Sequence, residues 1–512
     1  MIYIPTVEDL KDKENISALN KGTSHSNKKI RRKSVKALSD LVDEGVYESS
    51  SLEHLNEALK DGDEKTRWNA AEAIYKLAEN GIYDESSLEP LNSLLESRTE
   101  YARWNAARAL RALAEKGVYE TESVEKLNNI LGDKDEYVRW NAVRALEALA
   151  EQGVCKRSTV DKLHEVINDP DKDVRKAALY TLREIACRGI AGEKSVEDIR
   201  ELLKDPEEEV KRNAAKTAEV LAKEDIDISP IIGELNQLLT DLDKETREAA
   251  VDAIKAAVDR GLYVKKTLDI LNNMLNHDKK RRQIFAAKNI IKFAKMELVH
   301  EDSVKYLEKL LDSHEVEVRK VSTRALTALA VNKLEVDKII NILNGMLDDE
   351  DEDVQKTAAV GIKKLAAKGI CTEDSVDHLY SLLEEEEDEV RERGMEAIEF
   401  ISIEGACDES VLEKVMDALQ DDDRYVNISA VSTLHHLAEQ GISTKDSIEH
   451  LNGFLTSEDD QLRERTLLAL SVLAEQGMFD EETVERLNDL EKEKNQSIRR
   501  KAERLIERIE KR

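Results

Sequence analysis

Proline is nearly missing, 5 in 512 residues, glycine is held to 19, and aromatic side chains make up 4%. An all-β chain needs more turn residues and more rings, and a collagen-like rod needs glycine at every third place, so both are excluded. No run approaches the roughly 18 consecutive apolar residues of a membrane span, and Met1–Leu10 carries Glu8 and Asp9 where a secretory leader would be apolar. The four cysteines lack CxxC spacing, which predicts reduced, structural thiols in a reducing compartment. Positive charge is also short, 78 Lys and Arg against 109 Asp and Glu. The net −31 disfavours DNA or RNA as principal ligand, since phosphates need a dense cationic track. What remains, 37% charged and 40% apolar residues, suits a soluble, cytoplasmic, helical protein with a long core.

The chain repeats itself every 36 residues. Arg67-Trp68-Asn69 returns as Arg103-Trp104-Asn105 and Arg139-Trp140-Asn141. The Arg position extends to Arg31, Arg175, Arg247, Arg319, Arg391, Arg463 and Arg499, with Lys211, Gln283, Gln355 and Asn427 at the remaining places. A second column holds glycine from Gly45 to Gly477, replaced by Asp225, Glu297 and Lys333, where a left-handed residue would end a helix. Between them Val138, Ala142, Ala145, Leu146 and Leu149 form one apolar stripe at helical spacing. A second, shorter helix of about three turns is expected to begin near Thr121, Thr372 or Thr444. Neither helix buries its stripe alone, so neighbours must stack. The predicted fold is all-α, a right-handed α-α superhelix (α-solenoid) of about fourteen 36-residue helix pairs. Residues 1–23 would form an N-terminal cap segment, 24–497 the solenoid, and 498–512 a charged capping helix.

An Asp six residues before the Arg, Val or Ile directly before it, and small residues after it (Asp133, Val138-Arg139, Ala142; Asp169, Val174-Arg175, Ala178) resemble the HEAT-repeat, armadillo-like family over residues 24–512. The resemblance implies an Asp–Arg ladder between successive units, with the second helix of each pair lining a concave face. Gln283, with Arg282 and Phe285, departs from the pattern and would mark a local change of curvature. Import receptors of the armadillo type grip peptides with Trp and Asn four residues apart. Here Asn follows Trp directly, so that function is not carried over. A further Asn column (56, 92, 128, 236, 272, 344, 452, 488) reads as a ladder bonding neighbouring backbone.

Trp68, Trp104 and Trp140 lie about 160° from the centre of the apolar stripe, the most exposed angle of the helix. With Tyr75, Arg108, Arg111 and Arg144 they form a candidate partner-binding strip, since Trp and Arg dominate binding hot spots. The competing reading lays each Trp flat over a cationic stem of the next unit. Residues 346–425 hold 8 basic and 26 acidic residues. Their runs Asp348–Asp353, Glu384–Glu389 and Asp421–Asp423 predict an acidic edge (Asp349, Asp351, Asp353, Glu385, Glu387, Asp388, Asp421, Asp422), either a solvated rim or an attractor for a basic protein partner. Cys155, Cys371 and Cys407 share a column with Tyr47, Tyr83, Tyr119, Tyr263 and Phe479 that reads as a buried anchor; Cys187 stands apart.

No Gly-rich phosphate loop, GxSxG or Cys/His pair is present. HEAT-fold deoxyhypusine hydroxylases bind iron through His-Glu pairs, but His164-Glu165, His300-Glu301 and His314-Glu315 fall in three different columns. His435 and His436 point about 100° apart and chelate one ion poorly. No catalytic residue, metal or cofactor is expected. The sequence therefore reads as a non-enzymatic scaffold binding a protein on its concave helix face or acidic edge. The alternative is a solenoid enzyme or nucleic-acid binder of the bilin-lyase or DNA-glycosylase type working through the Trp/Arg strip. Oligomeric state is not encoded in any of these signals.

Overall fold

Each repeat begins where an acidic or amide side chain can cap a helix. In the computed structural model, which describes residues 6–262, 264–370 and 374–511, Asp135 accepts the Val138 amide at 3.1 Å and opens the helix Glu136–Glu151. The helix closes at Gly153 (φ 76°), with Gly153 N–H donating to Ala150 and Val154 N–H to Leu149. Long helices of 15 or 16 residues recur from Lys28–Asp43 to Gln496–Glu510, their first residues spaced by the 36-residue period. Ten glycines of the stop column have φ of 66–90°, and Asp225, Glu297 and Lys333 take the same left-handed turn at 62°. Those three pay the steric cost of a Cβ there. Replacing Lys333 with Gly should stabilise its repeat by about 0.5–1 kcal/mol, read as a raised urea midpoint.

Among the described residues all regular structure is helical. Short helices precede the long ones: Thr121–Asn129 starts as expected, while Asp446–Phe454 starts two residues past Thr444; Thr372 lies outside the described residues. Short helices pack most closely on the long helix that follows, which makes the long helix the second of each pair; Val336–Met346 packs equally against the long helices before and after it. The N-terminal segment contains two short helices, Val7–Asp12 and Ile16–Gly22, and Glu14 at φ 52° separates them.

The chain forms two compact units, Met1–Val264 and Lys265–Arg512. The boundary precedes the repeat in which His277 and Gln283 stand where most others carry Asp and Arg. Within each unit, every long helix packs against its own short helix and against the long helix or helices next to it. The contact surfaces are small and fully buried, as at Ala70, Ala71, Ala73, Ala106, Ala107 and Ala109, which lets helices approach closely. Leu127, Leu131 and Leu146 fill the space between the layers. Each such Leu contributes roughly 1.5–3 kcal/mol by leaving water.

The Asp–Arg ladder is present in both units. Arg31, Arg103, Arg139, Arg175, Arg319 and Arg391 each fork onto the Asp of the next repeat (Asp61, Asp133, Asp169, Asp205, Asp349, Asp421) at 2.5–3.1 Å. A third N–H of Arg139 reaches back to the Asp133 carbonyl at 2.8 Å, so one guanidinium ties two turns together. Lys211 keeps the rung with Asp241 at 2.6 Å, and Gln355 makes a longer one to Glu385 at 3.4 Å. Where the next repeat offers Ser, the rung is lost: Arg67 faces position 97 and turns to the Asp61 carbonyl, and Asn427 does the same with Asp421.

The Asn column also forms a ladder, but to side chains instead of backbone. Asn56 bonds Ser86 and Ser87 at 2.8 Å, Ser303 bonds Asn272 at 2.8 Å, and Asn452 bonds Asp480 at 3.1 Å. The anchor column divides by size. Cys155 and Cys407 are buried, Phe479 is half-buried, and Tyr47, Tyr83 and Tyr119 are exposed, because a phenol ring does not fit where a thiol does; Tyr263 and Cys371 lie outside the described residues. Burial pushes the Cys155 thiol up to about 12, which leaves it unreactive at neutral pH, whereas Cys187 is exposed.

Candidate functional site

The three tryptophans sit on the long helices Glu64–Glu79, Glu100–Glu115 and Glu136–Glu151 and are half-buried, not at the most exposed angle. The reason is the neighbouring long helix. Tyr101 packs against Trp68 at 5.1 Å between ring centroids, Tyr101 meets Trp104 edge-on at 5.3 Å, and Trp104 meets Tyr137 edge-on at 5.3 Å. The rings therefore alternate Trp, Tyr, Trp, Tyr across three repeats. Neither rival expectation describes this: the tryptophans are not free, and a tyrosine ring, not a cation, meets each of Trp68 and Trp104 from the next repeat, while Lys65 of the same helix lies over Trp68 at 5.7 Å. Trp68 Nε1 donates to Asn69 Oδ1 at 2.8 Å, while Trp104 Nε1 is buried with no hydrogen bond. The exposed members of the series are Tyr101 (47%) and Tyr137 (54%).

Charged residues flank the rings. Arg108 lies over Tyr75 at 3.8 Å, Arg111 pairs with Glu115 at 2.8 Å, and Arg144 pairs with Glu147. Burial raises the Glu147 carboxyl against the pull of Arg144. Beyond Trp140 an open cleft of about 530 Å³ is lined by Tyr137, Trp140, Tyr180, Arg111, Arg144 and Lys176, with Glu136, Asp171 and Asp173 also on its wall. Ring faces, ring edges and cationic forks in one open trough can hold an extended polypeptide by stacking and by bonds to carbonyl or carboxylate oxygens. Tyr101, Tyr137, Lys176 and Tyr180 escaped the sequence reading. The usable signal was Tyr three residues before Trp in two successive repeats.

The acidic residues divide into two roles. Asp349 and Asp421 are consumed by the ladder, with side chains only 6% and 12% exposed, so they are not part of a free edge. Asp351 caps Glu352–Ala366, Asp353 bonds Lys320 at 2.7 Å, and Glu385 accepts from Gln355. Asp388 and Asp422 both reach Arg391, and Glu387 stands exposed at the start of Asp388–Ile403. In the same unit a cleft of about 230 Å³ gathers Lys320, Arg324, Lys356, Lys364 and Arg393 around Asp353 and Glu389, a cationic spot that the acidic composition of the segment conceals. Of the His-Glu pairs, His164 contacts Asp198 and His300 contacts Asp269 at 3.0 Å.

Cationic partners hold several carboxyls below their ordinary range. The Arg32 guanidinium, with the Thr66 hydroxyl and amide, lowers Asp63 to about 2. Burial pushes Asp61 and Asp421 up, but Arg31 and Arg391 outweigh it and leave both lowered. A lowered carboxyl means the unfolded chain takes up protons first as pH falls. This stabilisation is complete above the unfolded value of about 3.9 and is lost as pH drops toward about 2. The urea midpoint should therefore fall steeply between about pH 4 and 2, and Asp63→Asn should flatten that fall.

Comparison with known proteins follows the same lines. A family model described as HEAT repeats matches residues 52–147, 88–182 and 160–227, and one described as non-SMC mitotic condensation complex subunit 1 matches residues 317–405. No curated protein sequence matches the chain. Among solved structures, importin beta is similar with a TM-score of 0.56 at 14% identity over 97% of this chain and 76% of its own. Kap121p bound to RanGTP gives 0.55 at 14% identity, over 98% of this chain and 57% of its own, so the chain spans little more than half of that protein. Kap95p with RanGDP gives 0.51 at 14% identity, over 97% and 72%. At such identity the likeness is one of fold. No helix among the described residues is long and apolar enough to cross a membrane. With HEAT repeats matched over residues 52–227, and the Asp–Arg ladder and the 36-residue period continuing through both units, the chain is an α-solenoid built of HEAT-like repeats.

Proposed function

We propose that this protein is a non-enzymatic, cytoplasmic scaffold that holds a protein partner along the exposed side of its long helices in the Met1–Val264 unit. The observation that carries the reading is the aromatic series ending in the cleft at Tyr137, Trp140 and Tyr180, where Tyr137, 54% exposed, stands with the half-buried Trp140 and Tyr180 beside Arg111, Arg144 and Lys176. Rings held by their neighbours lose little entropy on binding, and such pre-organised aromatic and Arg groups supply most of the energy in protein interfaces. Solenoids of the same fold carry protein ligands: Kap121p has been solved with RanGTP, Ste12p and Pho4p. The acidic turns, reduced to Glu387, Asp388, Asp422 and their neighbours, offer a second and weaker surface for a basic segment of that partner.

The test places a photo-crosslinking amino acid at Tyr137 and, separately, at Tyr425 in the other unit. Partner crosslinks at Tyr137 that disappear with Trp140→Ala support the reading. Crosslinks at Tyr425 alone would remove it.

A further inference from the structure

The long helix Arg424–Glu439 ends in His435, His436 and Glu439. Adjacent histidines diverge by about 100° on a helix, but residue 439 projects about 40° from residue 435, on the side of residue 436. Its carboxylate therefore lies between the two imidazoles, one turn on. The distances follow that angle: Glu439 is 3.7 Å from His435 Nε2 and 3.3 Å from His436 Nδ1, and the ring centroids are 5.0 Å apart. One donor atom from each of the three lies within 4.8 Å of the others, and among the described residues this is the one group of three or more His, Cys, Asp or Glu so placed.

The surroundings suit a cation. Both imidazoles are half-buried, and Glu439 is exposed, leaving a solvent side open. His435 Nδ1 is buried and turned inward, which leaves Nε2 as the outward donor. His436 also faces an open cleft of about 370 Å³ lined by Glu392, Glu396 and Glu399, with Arg465 as its single cationic group.

We infer that His435, His436 and Glu439 form a binding site for a borderline divalent transition metal, represented by Zn²⁺. Two imidazoles to one carboxylate select such ions over Ca²⁺ and Mg²⁺, which require oxygen ligands. Metal–ligand distances of about 2.0–2.1 Å bring tetrahedral donors to roughly 3.3 Å from one another. One carboxylate oxygen stands at 3.7 Å from His435 Nε2 and the other at 3.3 Å from His436 Nδ1, so rotation of the carboxylate and the two imidazoles closes the set. Three protein ligands leave a fourth position to water or to a partner's side chain. This site lies in the Lys265–Arg512 unit and stands independently of the aromatic strip.

The test is titration of the EDTA-treated full chain with Zn²⁺ against a chromophoric competitor. The expected result is one Zn²⁺ per chain, weakened about tenfold or more by His435→Asn and by Glu439→Gln, and unchanged by His450→Asn on the neighbouring short helix. Circular dichroism of each metal-free variant establishes that the fold is kept. Absence of one-to-one binding, binding that survives the double variant His435→Asn/His436→Asn, or equal competition by Ca²⁺ would overturn the assignment.

Discussion

Arg319→Ala should destabilise the Lys265–Arg512 unit by about 3–5 kcal/mol, because it leaves a buried carboxylate without its cation. Arg319 is 4% exposed, and its Nε and Nη2 each donate to Asp349 at 2.8 Å while Nη1 donates to the Ser313 carbonyl at 2.8 Å. Truncation strands the Asp349 side chain, which is 6% exposed. The same change at Lys162, whose pairing with Glu165 is 44% and 58% exposed, should cost at most about 1 kcal/mol. Arg319→Lys keeps the charge but not the planar fork, so it falls between the two. Solenoids need not unfold as one body, so the readout is amide exchange in Val316–Val331. At about 1.4 kcal/mol per tenfold, Arg319→Ala should accelerate it by roughly two to three and a half powers of ten.

The double replacement Tyr137→Ala/Trp140→Ala should lower partner affinity about 30-fold or more, the loss of at least 2 kcal/mol expected at a binding hot spot. Tyr137 is 54% exposed and both residues line the cleft beside Arg111 and Arg144, so stability should suffer less than affinity. Trp104→Ala separates the two effects in the opposite sense. Trp104 touches both Tyr101 and Tyr137 and buries its Nε1, so its removal should weaken folding and binding together. Surface plasmon resonance against the captured partner, with thermal melts of each variant, distinguishes these outcomes.

The architecture was legible because its rules are local. A 36-residue spacing without insertion, a left-handed stop after the long helices, and an Asp six residues before an Arg need only neighbouring repeats to be seen, and each is present in the fold. The exposure of the tryptophans was not legible, since a helical wheel measures distance from one apolar stripe. These helices are covered on three sides, by a short helix and by two long neighbours, and the covering residues are alanines that weigh little in a stripe. The acidic edge was overcounted for a related reason: Asp349 and Asp421 satisfy the ladder pattern and the charge run at once, and a buried rung cannot also be a free surface. The division at Val264 leaves no trace in phase, as the 36-residue step from Lys244 to Lys280 crosses it unchanged. As a pair His435 and His436 diverge on the helix, and only the third donor, Glu439, brings ligand atoms of both within reach of one ion.

The claim on which the functional account rests is that a protein docks on the aromatic trough of the Met1–Val264 unit. Hydrogen exchange of the full chain, with and without its captured partner, tests this most directly. The account predicts slowed exchange in Glu100–Glu115, Glu136–Glu151 and Lys172–Ala186, the helices that carry Tyr101, Trp104, Tyr137, Trp140 and Tyr180. Slowing confined to the other unit, with these three helices unchanged, would contradict it.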